Sequence, residues 1–301
     1  MTAIVQQKER ASLTTLPAYQ TVINGLKSQH SKDAYTRNLN QLDKWLGETG
    51  QQLNRQSLTD WIASLEERKL KPATINQKLA SIRALVRESE ISGFIPYDVA
   101  RPILAIQDRK GTGKQDANWL EKGEIAAIMK ALGGDTKGLR DKALFSVAIA
   151  TGLRRAELAS LEWSQLKRRK RKWFFMGVTV KGDKSRDVVI QKSAISHLNA
   201  WGKKSGKNGA IFKPMRKGGV IVDKAMTPVA INKIVERLGE LIDTDLGVHD
   251  LRRTYAALLY DNGVTVRQIQ AMLGHSSIQT TERYLKPIKT ARDAKDDYFT
   301  F

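Results

Sequence analysis

The stretch Thr-Gly-Leu-Arg-Arg-Ala-Glu-Leu at residues 151–158 organises the middle of this sequence. An apolar helical pattern is interrupted at Gly152, and Arg154 and Arg155 then open a new helix that contains Glu157. A glycine turn that leads into a helix start presents a cation and free backbone N–H groups to an anion. An arginine pair at such a place is more often an ordinary surface feature, so its meaning depends on the surrounding residues.

Downstream, the sequence becomes strongly basic and then β-like. Residues 167–172 read KRRKRK, and residues 173–180 and 187–191 read WFFMGVTV and DVVIQ around a KGDKSR turn. Apolar runs rich in β-branched and aromatic residues on both sides of a polar turn predict a β-hairpin. The simpler interpretations of the basic run are a solvated turn or a nuclear-import-like patch. Because of the lysine-containing hairpin beside it, we interpret it as a phosphate-backbone contact, formed by Lys167, Arg168, Arg169, Lys170, Arg171 and Lys172.

Three further features lie near the C-terminus. His249 and Arg252 are three residues apart, so one helix face brings both side chains to the same phosphate. Gly274 ends a helical pattern, and His275 follows it at a turn. Tyr284 lies on a short helix beyond that turn, where a lone tyrosine is normally a packing residue. Each of these features is a weak signal by itself.

The overall charge narrows the class of partner. The 301 residues hold 51 Lys and Arg against 31 Asp and Glu, a net charge of +20. A domain stays dispersed with about 2 to 8 charges, so the surplus predicts a polyanion, either nucleic acid or an anionic membrane face. Residues 151–217 hold 18 basic and 4 acidic side chains, whereas the first hundred residues hold 13 and 10. The positive charge is therefore concentrated just past the middle of the chain, within residues 151–217.

The composition excludes several other classes of protein. Hydrophobic residues at 41% and charged residues at 27% are ordinary globular values, which argues against wholesale disorder. The chain has no cysteine, which excludes disulfides, thiolate metal sites and thiol nucleophiles. No two of the four histidines have ligand spacing on one helix, so we expect no metal site. Without an apolar run of about 18 residues or a signal core, we expect a cytoplasmic protein with no membrane partner.

The first third of the chain predicts a compact helical domain. Apolar residues at steps of four, three and four after Ser31, a candidate N-cap, predict one helix. A second amphipathic stretch follows Ser57, and a third starts at Pro72. The polar face of the third helix carries two candidate DNA contacts, Lys78 and Arg83, for which a solvated face is the simpler interpretation.

A polar segment separates this region from the rest. Residues 107–118 (QDRKGTGKQDAN) contain two glycines and almost no apolar side chain, which is typical of a linker. We therefore expect a helical domain over residues 1–106, a linker over residues 107–118 and a second domain with a C-terminal tail over residues 119–301. The predicted fold class is mainly α with a small β-sheet.

In order, TGLRRAEL (151–158), VKGDKSR (180–186), HDLRR (249–253), LGH (273–275) and RY (283–284) resemble the tyrosine recombinase, or phage integrase, family. The resemblance covers about 180 C-terminal residues, and within the family it favours the Xer- and Cre-like site-specific recombinases. It is specific, because five separated elements must coincide in order and spacing. The helical domain is similar to the family's SAM-like core-binding domain, and the second to its α+β catalytic domain.

The resemblance implies a role for each matching residue. Tyr284 matches the nucleophile, and Glu157 matches an acidic residue that supports the site. The remaining catalytic positions correspond to Arg154, Lys181, His249, Arg252 and His275. Lys184 competes with Lys181, because hairpin turns vary in length.

The implied activity is cleavage and rejoining of duplex DNA at specific sites through a covalent 3′-phosphotyrosine. Two arginines and two imidazoles can stabilise the charge of phosphoryl transfer without a metal, and the bond energy kept in the intermediate removes the need for ATP. No cofactor is expected. The partners would be duplex DNA and further copies of the chain, as a tetramer on DNA. The tail, residues 298–301, either folds back on its own domain or docks on a neighbouring protomer, and the resemblance favours docking.

Two alternatives remain open from the sequence. A type IB topoisomerase shares this chemistry but relaxes supercoils with little sequence preference, and the spacing from His249 to Tyr284 argues against it. A non-catalytic DNA-binding protein of the same fold would have a damaged site, whereas every expected position is filled here. The DNA sequence recognised, and the choice among integration, excision, inversion and resolution, do not follow from these residues.

Overall fold

The computed structural model describes residues 12–111, 118–180 and 184–293. The chain divides into two compact units, which we call the helical unit (Met1–Gln115) and the mixed unit (Asp116–Phe301). The division falls within residues 107–118, where the linker is expected. Lys181 and the tail at residues 298–301 lie outside the described residues.

Amphipathic helices pack their apolar faces into the core of the helical unit. The described helices are α1 Pro17–Gly25, α2 Gln29–Thr49, α3 Arg55–Glu67, α4 Pro72–Ile91 and α5 Tyr97–Leu104. Leu39, Leu42 and Leu46 of α2 are fully buried among apolar side chains of α3 and α4. The three helices predicted from apolar spacing are therefore confirmed.

Two of these helices begin earlier than the apolar pattern indicates. The N-cap of α2 is Ser28, whose hydroxyl accepts from the backbone N–H of Ser31 at 3.1 Å. Asn54 caps α3, and Ser57 completes a reciprocal capping box. The expectation that Ser31 caps α2 is wrong, because the first turn of a helix is satisfied by its cap and needs no buried apolar face.

The polar face of α4 is partly covered by the rest of the helical unit. Lys78 is buried, and its Nζ donates to the side-chain oxygen of Gln41 on α2. Arg83 donates to the carbonyl oxygen of Ile106 and, at 2.6 Å, to Asp108. Burial lowers the pKa of Lys78. The interpretation of a solvated face is wrong at both positions, because neighbouring parts of the unit cover them.

The first residues of the expected linker also belong to the helical unit. The backbone N–H of Arg109 donates to Asn76 at 2.7 Å, and its guanidinium Nε donates to Glu66 at 2.6 Å. The polar composition of residues 107–111 therefore reflects side chains that bind α3 and α4.

The mixed unit combines helices with a small antiparallel sheet. Its described helices are α6 Lys122–Ala131, α7 Thr136–Thr151, α8 Arg155–Ala159, α9 Lys192–Ser205, α10 Pro228–Glu240, α11 Val248–Asp261, α12 Val266–Leu273 and α13 Ile278–Asp293. Its strands are β1 Leu166–Arg169, β2 Lys172–Val180 and β3 Lys184–Ile190. The predicted fold class, mainly α with a small sheet, is confirmed. Within the described parts of the chain, no helix is long and apolar enough to cross a membrane.

The sheet has one strand more than the sequence predicts. Its order is β1-β2-β3, and both pairs are antiparallel. The extra strand β1 comes from the basic run, so residues 167–172 form a strand end, a two-residue turn and the start of β2. Lys170 and Arg171 occupy the turn with φ of 43° and 67°. Positive φ at both central residues defines the type I′ turn, which matches the twist of paired strands.

The buried helix α7 ends directly before Arg154, one of the candidate site residues. It packs against α9 and α11, and Gly152 ends it in the left-handed conformation with φ of +60°. A Cβ atom at Gly152 would lie 2.4 Å from the ring of Tyr255 on α11. Glycine is therefore required at position 152 both by backbone conformation and by the close approach of α11.

This double requirement predicts that Gly152→Ala destabilises the mixed unit. The left-handed conformation costs a non-glycine residue about 1 to 2 kcal/mol, and the overlap with Tyr255 adds about 1 to 3 kcal/mol. Gly263→Ala is the matched control, because Gly263 has φ of +73° but open space around its Cα. Urea unfolding should show the larger loss for Gly152→Ala, and equal losses would contradict the packing argument.

Candidate active site

A buried arginine lies at the centre of the candidate site. Arg252 on α11 is 2% exposed. Its Nη1 donates to the carbonyl oxygen of Gly152 at 2.5 Å and its Nη2 to that of Leu273 at 2.6 Å. Burial, and secondarily the nearby charge of Arg154, lowers the pKa of Arg252 to about 10. The guanidinium is therefore charged at neutral pH and fixes the ends of α7 and α12 relative to α11.

A second arginine is held at the start of α8. The Nη1 of Arg154 donates to Glu157 Oε1 at 2.8 Å, and its backbone N–H donates to Glu157 Oε2 at 3.0 Å. The side chain of Arg154 is 35% exposed and that of Glu157 only 4%. Arg154 can therefore reach an incoming anion, whereas Glu157 faces the protein interior.

The candidate nucleophile contacts the first histidine. The hydroxyl of Tyr284 on α13 donates to the carbonyl oxygen of His249 at 3.2 Å and lies 3.3 Å from His249 Nδ1. Burial raises the pKa of Tyr284, while the neighbouring Arg252 and Arg253 oppose that rise. Arg253 also lies over the phenol ring, with its guanidinium carbon 5.4 Å from the ring centre. The phenol is therefore neutral at pH 7 and surrounded by cations that favour its ionised form.

The second histidine is oriented by the helix that carries the tyrosine. His275 Nδ1 lies 2.9 Å from the hydroxyl oxygen of Thr281, a fully buried residue of α13. The rings of His275 and Tyr284 meet edge to face with centres 5.5 Å apart. Burial, followed by the charge of Arg252, lowers the pKa of His275 to about 4.

Both imidazoles are consequently neutral at pH 7. Burial is also the main cause that lowers the pKa of His249, with Arg252 next. A neutral imidazole offers one N–H donor and one acceptor nitrogen, whereas the arginines supply fixed positive charge. The structure thus brings together five of the sequence-predicted residues: Arg154, His249, Arg252, His275 and Tyr284. Glu157 supports one of them by direct contact.

The predicted lysine is not placed by the structure. Lys181 lies outside the described residues, and Lys184 begins β3 without a described side chain. The choice between the two lysines therefore stays open. No group of three or more potential metal ligands occurs among the residues that the structure describes.

Sequence reasoning missed two residues of this region, Arg186 and Thr281. Arg186 of β3 donates from Nη1 to the carbonyl oxygen of Met272 at 2.7 Å, and its Nη2 is 3.7 Å from Glu157 Oε2. A usable signal was the alternation of the strand, because Arg186 shares a strand face with the buried Val188. No comparable signal pointed to Thr281, since a buried threonine on a helix face looks like ordinary packing.

The basic run, residues 167–172, forms an exposed surface on the hairpin of β1 and β2. All six of its cations, Lys167, Arg168, Arg169, Lys170, Arg171 and Lys172, are exposed. Three belong to β1, two to the turn and one to β2. This surface can meet an extended polyanion without the desolvation that a buried cation requires.

Comparison with known protein families gives two matches that together span most of the chain. The model of the phage integrase family matches residues 118–290. The model of the phage integrase N-terminal SAM-like domain matches residues 16–89.

Individual relatives agree with these matches. The chain is 28% identical over 267 residues to the tyrosine recombinase XerC of Xanthomonas campestris pv. campestris (strain B100), covering 85% of this chain and 78% of the relative. It is 29% identical over 237 residues to the tyrosine recombinase XerC of Corynebacterium efficiens, with 76% and 72% covered.

Solved structures share the fold. The XerH site-specific recombinase bound to its palindromic difH substrate in a post-cleavage complex has a TM-score of 0.67 at 20% identity, over 88% of this chain and 80% of that one. A lambda integrase dimer bound to a core site has a TM-score of 0.68 at 14% identity, over 94% and 96%.

The lowered histidine pKa values predict a pH-dependent stability. An unfolded histidine takes up a proton near pH 6.5, whereas His275 in the folded unit resists protonation until about pH 4. The unfolded state therefore binds more protons in this window, and stability falls as the pH is lowered from 6.5 towards 4. Urea unfolding between pH 7.5 and 4.5 should show a shallower fall for His275→Gln than for the wild type. Parallel curves would show that His275 is protonated normally in the folded state.

Proposed function

Because the chain belongs to the phage integrase family and is a tyrosine recombinase, we propose that it cuts and rejoins duplex DNA at specific sites through a covalent 3′-phosphotyrosine. The observation that carries this proposal is the contact of the Tyr284 hydroxyl with His249 beside the charged guanidinium of Arg252. The cytoplasmic location and the integration, excision, inversion or resolution of DNA remain part of the proposal.

In the proposed cleavage step, the Tyr284 oxygen attacks the scissile phosphorus and the bond to the DNA 5′-oxygen breaks. The phenol proton passes to His249 Nδ1, which lies within reach of the hydroxyl. Arg154 and Arg252 bind the non-bridging oxygens, on which charge accumulates. The 5′-oxygen leaves as a hydroxyl after receiving a proton from Lys181 or Lys184.

The reverse sequence rejoins the DNA. A 5′-hydroxyl gives its proton to Lys181 or Lys184 and attacks the phosphorus of the phosphotyrosine, the bond to the phenol oxygen breaks, and Tyr284 regains its proton from His249. The phosphodiester and the phosphotyrosine bond are of similar energy, so neither step consumes a nucleotide. The proposed chemistry also uses no metal, because the arginines and imidazoles supply the charge and the donors that phosphoryl transfer needs.

For DNA binding we propose the exposed hairpin of residues 167–172 as the main backbone contact of the mixed unit. The six cations of this hairpin are exposed to solvent, whereas Lys78 of the helical unit is buried and Arg83 is partly buried. Lys78 and Arg83 already contact Gln41, Ile106 and Asp108, so DNA binding by either side chain would have to replace those contacts.

Joining two duplexes requires four strand cleavages, which is the reason for the proposed tetramer on DNA. Each protomer contributes one Tyr284. Docking of residues 298–301 on a neighbour would link the protomers, and those residues lie outside the described part of the chain.

We predict that Tyr284→Phe abolishes covalent attachment to DNA while DNA binding persists, because only the attacking oxygen is removed. Duplexes selected for binding from a random-sequence library would serve as substrates, with a nick moved stepwise across the selected site so that the cleaved fragment diffuses away. The readout is an adduct that survives SDS.

Tyr260→Phe is the control, since Tyr260 lies on α11 but contacts Lys289 rather than the site. It should form the adduct at the wild-type rate. The absence of any wild-type adduct would overturn the proposed chemistry, and an adduct with Tyr284→Phe would show a different nucleophile.

We predict that Lys170→Asn with Arg171→Gly weakens DNA binding without destabilising the hairpin. Asn-Gly is the preferred pair for a type I′ turn, so the fold is retained while two charges are lost. Each lost phosphate contact reduces the slope of log K against log salt by about 0.9, so the slope should become shallower by up to about 1.8.

Lys203→Gln with Lys204→Gln removes the same charge from the exposed end of α9 and is the control. Equal slope changes in the two double variants would show that only net charge matters and that the hairpin makes no specific contact.

A further inference from the structure

Arg186 is a half-buried arginine of the candidate site, and two of its N–H groups have no hydrogen-bond acceptor among the described residues. Its side chain is 17% exposed, and only Nη1 makes a hydrogen bond, to the carbonyl oxygen of Met272. The Nε and Nη2 atoms are buried and have no hydrogen-bond partner within the described residues. Unsatisfied buried donors are destabilising and uncommon, so a second arrangement that satisfies them has to be considered.

The nearest acceptor is the Glu157 carboxylate. Its Oε2 lies 3.7 Å from Arg186 Nη2, and its Oε1 accepts from Arg154 Nη1 at 2.8 Å. The two arginines therefore stand on either side of one carboxylate, and the more exposed of them, Arg154, holds it. A shift of about 1 Å would bring Glu157 into hydrogen-bond distance of Arg186.

The proposed function creates the need for such a shift. In the proposed cleavage step the Nη1 of Arg154 moves from Glu157 Oε1 towards the phosphate, the Arg154 backbone N–H keeps its contact with Glu157 Oε2, and Glu157 is only 4% exposed. A buried carboxylate that loses its cation is strongly destabilised unless another cation replaces the first.

We propose that Arg186 is a positioning residue that takes over the Glu157 carboxylate when Arg154 binds the scissile phosphate. This inference rests on the proposed function. The exchange breaks one hydrogen-bonded ion pair and forms another, so the charge of the interior is unchanged while Arg154 becomes available to the DNA.

The second contact of Arg186 connects the exchange to His275. Its guanidinium lies against Gly274, where a Cβ atom would be 2.5 Å from Nη1. Arg186 and Arg252 bind the consecutive carbonyl oxygens of Met272 and Leu273, at the C-terminal end of α12. Cations are favourable at that end of a helix. Arg186 thereby holds β3 against the turn that presents His275.

The exchange can be tested without DNA by comparing the wild type with Arg154→Met, Arg186→Met and the double variant in thermal unfolding. In the wild type, loss of Arg186 leaves Glu157 paired with Arg154. In the Arg154→Met background, the same loss leaves Glu157 without a cation. Arg186→Met should therefore lower the melting temperature by at least about 4 °C more in that background. Additive shifts would overturn the exchange.

Single-turnover adduct formation then distinguishes positioning from phosphate contact. On a selected duplex, Arg186→Met should be slowed by about 10- to 100-fold, and Arg186→Lys should recover most of the rate because it keeps a cation beside Glu157. Arg216→Met removes the same charge from an exposed loop residue that does not contact Glu157, and its rate should be unchanged.

A methylphosphonate at the scissile position supplies the decisive comparison, because it removes the phosphate charge that Arg154 neutralises. The defect of Arg154→Met should shrink on this substrate and that of Arg186→Met should persist. Equal relief of both variants would show that Arg186 contacts the phosphate itself, which overturns its positioning role.

If the wild type forms no adduct, the proposed function fails, whereas the unfolding comparison still decides whether Arg186 and Arg154 share Glu157.

Discussion

The hydrogen bonds of one buried guanidinium hold the candidate site together. Arg252 joins the carbonyl oxygens of Gly152 and Leu273, which end α7 and α12, to the helix that carries His249. The left-handed glycine after α7 turns the chain towards Arg154, and the one after α12 turns it towards His275. Since the C-terminal ends of helices favour cations, the fold stabilises the arginine that the proposed chemistry uses.

The concentration of cations also sets the protonation of the neighbouring groups. Arg252 and Arg154 favour ionisation of Tyr284 and oppose protonation of His275, whereas burial acts against the charged form of both residues. For the histidine the two effects add, and for the tyrosine they oppose each other. The site therefore holds neutral imidazoles beside a phenol whose proton is easier to remove than burial alone would allow. An approaching phosphate would offset part of this positive potential and make His249 a better proton acceptor.

Sequence patterns identified residues that repeat a periodicity or stand at a turn, and they missed those defined by tertiary packing. The spacing of Leu39, Leu42 and Leu46 predicts α2, because the residues of a buried helix face recur every three to four positions. Gly152 and Gly274 were found at helix ends because left-handed caps favour glycine. Arg186 was missed although its strand face is buried, because a charged residue in a polar KGDKSR turn is expected to be solvated. The strand β1 was missed for the same reason, since its KRR residues are stabilised by pairing with β2 rather than by burial.

The three-stranded sheet connects the exposed cations of residues 167–172 to Arg186, which lies beside the candidate site. The nine residues of β2 span about 30 Å, with the basic Lys170–Arg171 turn before its first residue and Val180, which pairs with Lys184 of β3, at its other end. That distance is close to one turn of a DNA duplex, whose phosphates recur along each strand. One strand can therefore relate the proposed backbone contact at residues 167–172 to the start of β3, where Lys184, one of the two candidate lysines, lies. Arg186 joins the neighbouring strand β3 to the carbonyl oxygen of Met272, before the His275 turn, and lies 3.7 Å from Glu157, so a displacement of the sheet would move a cation of the candidate site.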